Sequence, residues 1–231
     1  MTQTALIVGA SRGIGLGLVG EFERRGWDVT GTARDPAKAS ALDDVAKNSG
    51  GRVHVEKVDT ADAKSVAALR DKLDGQTFDL IVVNAGVGGP QDKNPRTVSD
   101  AEFTDLFITN SLAPVRFAEM FVKQVKPHTG VIGLMTSMLG SVEGASAGGI
   151  ELYRASKAAL NSFTRSFAAR HKDLGVAVLS LHPGWVKTDM GGPNAAIDVA
   201  TSVKGLADVV ERAQKDRKDG FFDYKGETLP W

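Results

Sequence analysis

Ala5-Leu6-Ile7-Val8-Gly9-Ala10-Ser11-Arg12-Gly13-Ile14-Gly15 is the stretch whose reading decides the fold. Four consecutive apolar residues read as a strand buried on both faces. Glycines then let the backbone turn sharply, and a helix runs from about Ile14 to Arg25, stopping near Gly26. A helix N-terminus at that turn offers free N–H groups and a partial positive charge to a pyrophosphate. Gly9, Ser11, Arg12, Gly13, Ile14 and Gly15 are therefore candidate nucleotide contacts. The spacing is G-x-x-x-G-x-G. A G-x-G-x-x-G also occurs at Gly15, Gly17 and Gly20, but its last two glycines fall inside the helix, past the turn where a phosphate could sit.

Outward from this unit the pattern repeats. Further strands are expected at Asp28–Ala33, from Val53, at Phe78–Val83, Val131–Thr136 and Val176–Leu181, with a short edge strand from Phe221. Long helices are expected over Ser99–Lys126, Tyr153–His171 and Val199–Ala213. Strand–helix alternation throughout implies an α/β fold: a Rossmann-type, doubly wound parallel sheet in three α/β/α layers. No repeat, low-complexity tract or linker suggests a second domain, and 231 residues suit one.

Composition narrows the function. Lys plus Arg and Asp plus Glu are both 28, so no global field favours nucleic acid or an anionic membrane. With no cysteine, disulfides, thiolate chemistry and Cys-ligated metals are excluded. The four histidines are scattered without acids at ligand spacing, so no metal is expected. The start MTQTALIVGA has no basic n-region and no long apolar stretch, which makes the cytoplasm the expected location.

Cofactor choice is read at the end of the second strand. An acid there would hold a ribose 2′-hydroxyl. Ala33 takes that place, followed by Arg34, and Arg12 lies within the glycine turn. Two guanidinium groups suit a 2′-phosphate, which favours NADP(H) over NAD(H). Asp35 is the competing reading, yet the Asp35-Pro36 pair looks like a turn that starts the next helix.

Tyr153 and Lys157 are four apart in a helical stretch and so share a face. A phenol titrating near 10 is a poor base at neutral pH, and a neighbouring ammonium favours its ionised form. The pair can then serve as acid in reduction and base in oxidation. Ser137 ends a strand at the edge where ligands of open α/β sheets lie, and its hydroxyl could donate to a substrate carbonyl. Asn110 falls inside the long helix; buried, it could kink the helix and hold a water, although alone it would pass for a solvated helix position.

Taken together, these motifs resemble the short-chain dehydrogenase/reductase family across nearly the whole chain. The matching residues are Gly9–Gly15, Val58-Asp59, Asn84-Ala85-Gly86, Asn110, Ser137, Tyr153-Arg154-Ala155-Ser156-Lys157 and Pro183-Gly184-Trp185-Val186-Lys187-Thr188. The closing Gly220-Phe221-Phe222 and Gly226-Glu227-Thr228-Leu229-Pro230-Trp231 look similar to the C-factor and sniffer-type carbonyl reductases. The resemblance implies that Asp59 meets the adenine edge and that Asn84, Ala85 and Gly86 border its ribose. It places Tyr153 and Lys157 at the nicotinamide ribose and makes Asn110 the holder of a water relaying protons to Lys157. Pro183, Gly184, Val186 and Thr188 would meet the carboxamide end.

The expected activity is hydride transfer between NADP(H) and a small carbonyl or alcohol substrate. A nucleotide-binding sensor with little turnover is the alternative, and survival of Asn110, Ser137, Tyr153 and Lys157 weighs against it. A methyltransferase on a similar sheet leaves Ser137, Tyr153 and Lys157 unexplained. Met138, Trp185 and Met190 adjoin candidate site residues; an apolar substrate surface and ordinary packing account for them equally. Small residues along the Tyr153 helix suit pairing with a symmetry mate, as homodimer or homotetramer.

Overall fold

A computed structural model describes residues 2–145 and 148–231. Seven strands run parallel in the order β3-β2-β1-β4-β5-β6-β7. They are β1 Thr4–Val8, β2 Asp28–Ala33, β3 Val53–Lys57, β4 Leu80–Val83, β5 Val131–Met135, β6 Ala177–His182 and β7 Gly220–Asp223. The helices are α1 Gly13–Arg24, α2 Ser40–Asn48, α3 Ala63–Lys72, α4 Asp100–Phe107, α5 Ala113–Phe121, α6 Glu151–Arg170 and α7 Val199–Asp216.

The apolar runs of the inner strands are explained by burial on both faces. Ala5, Ile7, Leu80, Val82 and Val131 point to a core shared with α1, α2 and α7 (Leu18, Phe22, Leu42, Leu206). Leu6, Val8, Ile81, Val83 and Ile132 point the other way, onto α3, α5 and α6 (Val66, Phe117, Phe121, Leu160). This is the three-layer, doubly wound Rossmann-type arrangement expected from the sequence. The chain winds outward from β1 to β3 and then returns to β4 on the other side. That reversal leaves a crevice at the C-terminal ends of β1 and β4, where ligands of such sheets lie.

Two expectations needed correction. Phe78 makes only an isolated bridge to Val125, so β4 begins at Leu80. The long helix expected over Ser99–Lys126 is instead α4, a π-helical turn over Ile108–Leu112, α5 and a 3-10 turn over Val122–Gln124. Pro114 lies four residues after Asn110 and has no N–H to give the Asn110 carbonyl, so an α-helical bond cannot form there. The wider turn absorbs that loss, as π-bulges at functional sites do. Among the described residues, no helix is long and apolar enough to cross a membrane.

Candidate active site

The glycine turn leaves β1 tied to β2: Gly9 N–H donates to Thr32 Oγ1 (3.2 Å) and Ala10 N–H to the Thr32 carbonyl (2.7 Å). Gly9 and Gly13 have φ of 83° and 56°, a region that favours glycine. A Cβ on Gly15 would lie 2.1 Å from the Gly9 carbonyl, and one on Gly9 would press on the Ala85 backbone at 3.0 Å. The turn therefore has its shape only because these side chains are missing. No side chain caps α1 at Arg12, so its first-turn N–H groups face the crevice without a side-chain acceptor. That is the donor set an anionic pyrophosphate would use. Gly17 serves helix packing, since a Cβ there would meet Val199 at 2.5 Å, while Gly20 faces open space.

Asn84 fixes the floor by donating Nδ2–H to the Gly9 carbonyl (3.0 Å). Thr188 approaches from the loop after β6: its methyl group would lie 3.4 Å from a Cβ on Gly13. That loop is short and closed on itself, with Lys187 N–H donating to Ile197 O (2.8 Å) and Ile197 N–H to Trp185 O (3.1 Å). Ser202 on α7 donates to the Pro183 carbonyl (2.6 Å), and Gly184 takes φ 87°. At the other edge, Ala33 is buried and Arg34 is exposed, with no ion pair among the described residues. Arg12 pairs with Asp189 at 3.0 Å across the mouth. Asp59 uses Oδ1 to accept from Ala61 N–H (3.0 Å), which leaves its second oxygen available.

The other end of the crevice is made of side chains. Lys157 is buried; its Nζ donates to the Met135 carbonyl (2.9 Å) and sits 5.9 Å from the centre of the Tyr153 ring. Burial pushes the Lys157 ammonium down to about 8. Burial raises the Tyr153 phenol above its ordinary value, and the Ser137 hydroxyl against it pulls the other way. The sequence suggests that the neighbouring ammonium and an oxidised nicotinamide favour the phenolate; in the structure, burial is the dominant influence on the phenol. Ser137 also accepts from Leu139 N–H (3.1 Å).

Asn110 is fully buried, not solvated. Its Oδ1 accepts from Val87 N–H (2.8 Å), and its Nδ2 donates to Val87 O (2.8 Å) and Ser156 Oγ (3.1 Å). The side chain is therefore spent on fastening the loop after β4 to α6. Any water held here would have to use the Asn110 main-chain carbonyl, to which Pro114 can give no α-helical hydrogen bond. Gly86 lies alongside: a Cβ there would be 3.3 Å from Asn110 Oδ1 and 3.4 Å from Lys157 Nζ.

Sequence reasoning missed two contributors. Ser156 accepts from Asn110, and its carbonyl accepts from Ser111 Oγ (2.7 Å), so it joins α6 to the π turn. It sits inside the Tyr153–Lys157 motif but gave no chemical signal of its own. Gly140 lets α6 approach, since a Cβ would meet Lys157 backbone and Cβ atoms at 2.8–2.9 Å. His182, which precedes Pro183 and reads from the sequence as a core or backbone-bonded residue, is buried at the end of β6; its Nδ1 has no hydrogen-bond partner among the described residues, and burial holds its pKa down to about 4. Met138, Trp185 and Met190 are about half exposed (54, 56 and 51%), which decides against ordinary core packing for all three.

A crevice of this kind suits a protein that holds a dinucleotide across the switch point and works on a small molecule beside it. Comparison with known proteins agrees: the short chain dehydrogenase family matches residues 3–197, and the chain belongs to that family of oxidoreductases. The C-signal protein of Myxococcus xanthus is 34% identical over 157 residues, 66% of this chain and 92% of that one. A short-chain dehydrogenase/reductase of Burkholderia multivorans, solved with bound NADP, is 42% identical and superposes with a TM-score of 0.95, covering 100% of both chains. The carbonyl reductase Sniffer of D. melanogaster is 31% identical, with a TM-score of 0.89 and 100% coverage of both.

Proposed function

We propose that the protein is an NADP(H)-dependent carbonyl reductase in which Tyr153 handles the proton. The observation that carries this reading is the convergence of Ser137, from the end of β5, and Tyr153 and Lys157, from α6, beside a glycine turn shaped for a pyrophosphate. NADP-bound relatives of the same fold support the cofactor, as do Ala33 and Arg34 at the strand end where an acid would serve NAD, with Arg12 in the glycine turn. NADPH, when bound, supplies the hydride.

The chain's own residues do the rest. Gly9, Ser11, Gly13, Ile14 and Gly15 offer backbone to the pyrophosphate, and Arg12 and Arg34 take the 2′-phosphate. Asp59, Asn84, Ala85 and Gly86 border the adenosine, while Pro183, Gly184, Val186 and Thr188 border the carboxamide. Lys157 holds the nicotinamide ribose. Ser137 donates to the substrate oxygen as charge develops on it, and Tyr153 delivers the proton. A phenol held above its ordinary pKa is protonated at neutral pH, the state that reduction needs. Asn110 and Ser156 position α6 for this task.

The substrate is an apolar carbonyl compound, received by the exposed side chains of Met138, Trp185 and Met190. Exposed Phe163 on α6, with Phe103 and Leu112 nearby in sequence to the π turn, suits pairing into a homodimer or homotetramer. The test is loss of NADPH absorbance with a panel of aldehydes, ketones and diketones. Cofactor binding with no turnover on any of them would overturn the reading.

A further inference from the structure

Ser137 and Tyr153 stand at the two ends of one connection, the chain between β5 and α6. Residues 138–145 of this connection contribute two exposed apolar side chains, Met138, next to Ser137, and Val142 (54 and 72% exposed). An exposed connection needs anchors if it is to shape a pocket. One anchor is Asn161 of α6, which donates Nδ2–H to the Gly140 carbonyl (3.2 Å). The other comes from far along the chain. Val142 N–H and Glu143 N–H both donate to the main-chain oxygen of Trp231 (3.2 Å each), and Ser141 Oγ donates to it as well (3.3 Å).

The last residues are built to deliver that oxygen. After β7 the chain turns at Gly226, where φ is 83°. It then runs back antiparallel to β7, with Phe222 bridged to Thr228 and Leu229 N–H donating to Phe221 O (2.8 Å). The Trp231 ring lands between two elements. Its centre is 5.4 Å from that of Phe221 on β7, and the Arg165 guanidinium carbon, on the same helix as Tyr153, lies 5.2 Å from it. The ring is held by aromatic and cation–π contacts, and the ring in turn holds the oxygen. Neither the proposed nucleotide contacts nor the proton-handling residues use this cluster.

We infer that Trp231 is a positioning residue: by fastening residues 141–143 it fixes Met138 and Val142 at the substrate side of the crevice and so sets the affinity for bulky apolar carbonyl compounds. The inference rests on the carbonyl reductase reading and adds the element that shapes its substrate end. It separates Trp231 from the chemistry, because loosening the connection changes how a large substrate is received while Tyr153, Lys157 and the glycine turn stay in place.

The test compares Trp231→Ala, which keeps the main-chain oxygen but removes the ring that holds it, with Trp231→Phe, which keeps an aromatic ring. Hydrogen–deuterium exchange in the peptide covering residues 138–145 should speed up roughly tenfold in Trp231→Ala and stay near the parent in Trp231→Phe. In turnover, Trp231→Ala should raise KM for a bulky aryl diketone about fivefold, leave KM for a small aldehyde within about twofold, and change kcat and NADPH affinity little. Trp231→Phe should restore the parent KM. Unchanged exchange in Trp231→Ala would overturn the clamp itself, whatever the kinetics. Faster exchange with equal KM changes for large and small substrates, or with a parallel loss of NADPH affinity, would overturn its role in substrate positioning. A parent protein that turns over no carbonyl compound would bring down the reductase reading, and the exchange data would still decide whether the clamp exists.

Discussion

The two ends of the crevice are built on opposite principles. At the nucleotide end the structure depends on what is missing: no Cβ on Gly9, Gly13 or Gly15, no side-chain cap on α1, and no acid at the end of β2. At the chemical end it depends on groups that are present and deprived of water, namely Lys157, Asn110, Ser137 and Ser156. The first kind of site tolerates changes in most neighbouring side chains but no added atoms on the turn. The second kind is sensitive to removal of a single atom and is costly to fold around.

The largest effect is expected where one oxygen carries the chemistry. Tyr153→Phe should lower kcat by about 10²–10⁴ with NADPH affinity within about twofold, measured by steady-state turnover and cofactor titration. Near-parent turnover would erase the contrast, since the chemical end would then not rest on that phenol.

Next comes the opposite end, tested by adding one methyl group in two places on the same helix. Gly15→Ala puts a Cβ 2.1 Å from the Gly9 carbonyl and should cost at least about tenfold in NADPH affinity, along with stability of about 1–3 kcal/mol. Gly20→Ala meets nothing within 4 Å and should instead raise stability by about 0.4–1 kcal/mol, with unchanged cofactor binding. Thermal melting and cofactor titration of both variants check this. Similar behaviour in the two would mean that the turn is not shaped by close contact.

These two tests mirror what was legible in the sequence. The glycine turn could be read because its physics is local: a buried strand, a sharp turn and a helix start lie within eleven residues. Tyr153, Lys157 and Ser137 could be read because helical spacing and strand-end position are also local. Gly140 and Ser156 could not, because their roles arise only when α6 meets the chain after β5 and the π turn. The break at Asn110 had a signal that went unused, the proline four residues on. A sequence displays the ammonium beside Tyr153 but not the desolvation that raises its phenol. Helices α2 and α3 were not delimited, being only nine and ten residues long.

Arg34→Ala addresses the missing acid. Loss of a charge-assisted contact to the 2′-phosphate should weaken NADPH by about 10-fold or more while NADH changes by less than about twofold. Equal losses for the two cofactors would place Arg34 elsewhere in the binding scheme.

The cost of the chemical end can be read from stability. A lysine held down to about 8 from 10.5 binds fewer protons folded than unfolded between those values, so stability should rise as pH climbs from about 8 to 10.5. Below pH 8 the full penalty for burying the ammonium applies, partly offset by its bond to Met135. Lys157→Met should remove that penalty at pH 7, raise the melting temperature by several degrees and flatten the rise, while turnover is lost. A less stable Lys157→Met protein would mean that the ammonium, through Met135, holds α6 in place more than its burial costs.

The smallest effect lies where the two principles meet, at the mouth. Arg12 belongs to the glycine turn and Asp189 to the loop after β6, and both side chains are more than three-quarters exposed (77 and 78%). Such a pair is worth at most about 1 kcal/mol, so it cannot hold the crevice shut. If Arg12 takes the 2′-phosphate as proposed, the pair competes with it for the same guanidinium. Asp189→Asn should therefore tighten NADPH by up to about threefold at low salt, and the gain should fade at high salt as exposed charges are screened. NADH, which has no 2′-phosphate, should show no change. If NADH tightens equally, Arg12 serves the pyrophosphate common to both cofactors, and the choice between them falls to Arg34 alone.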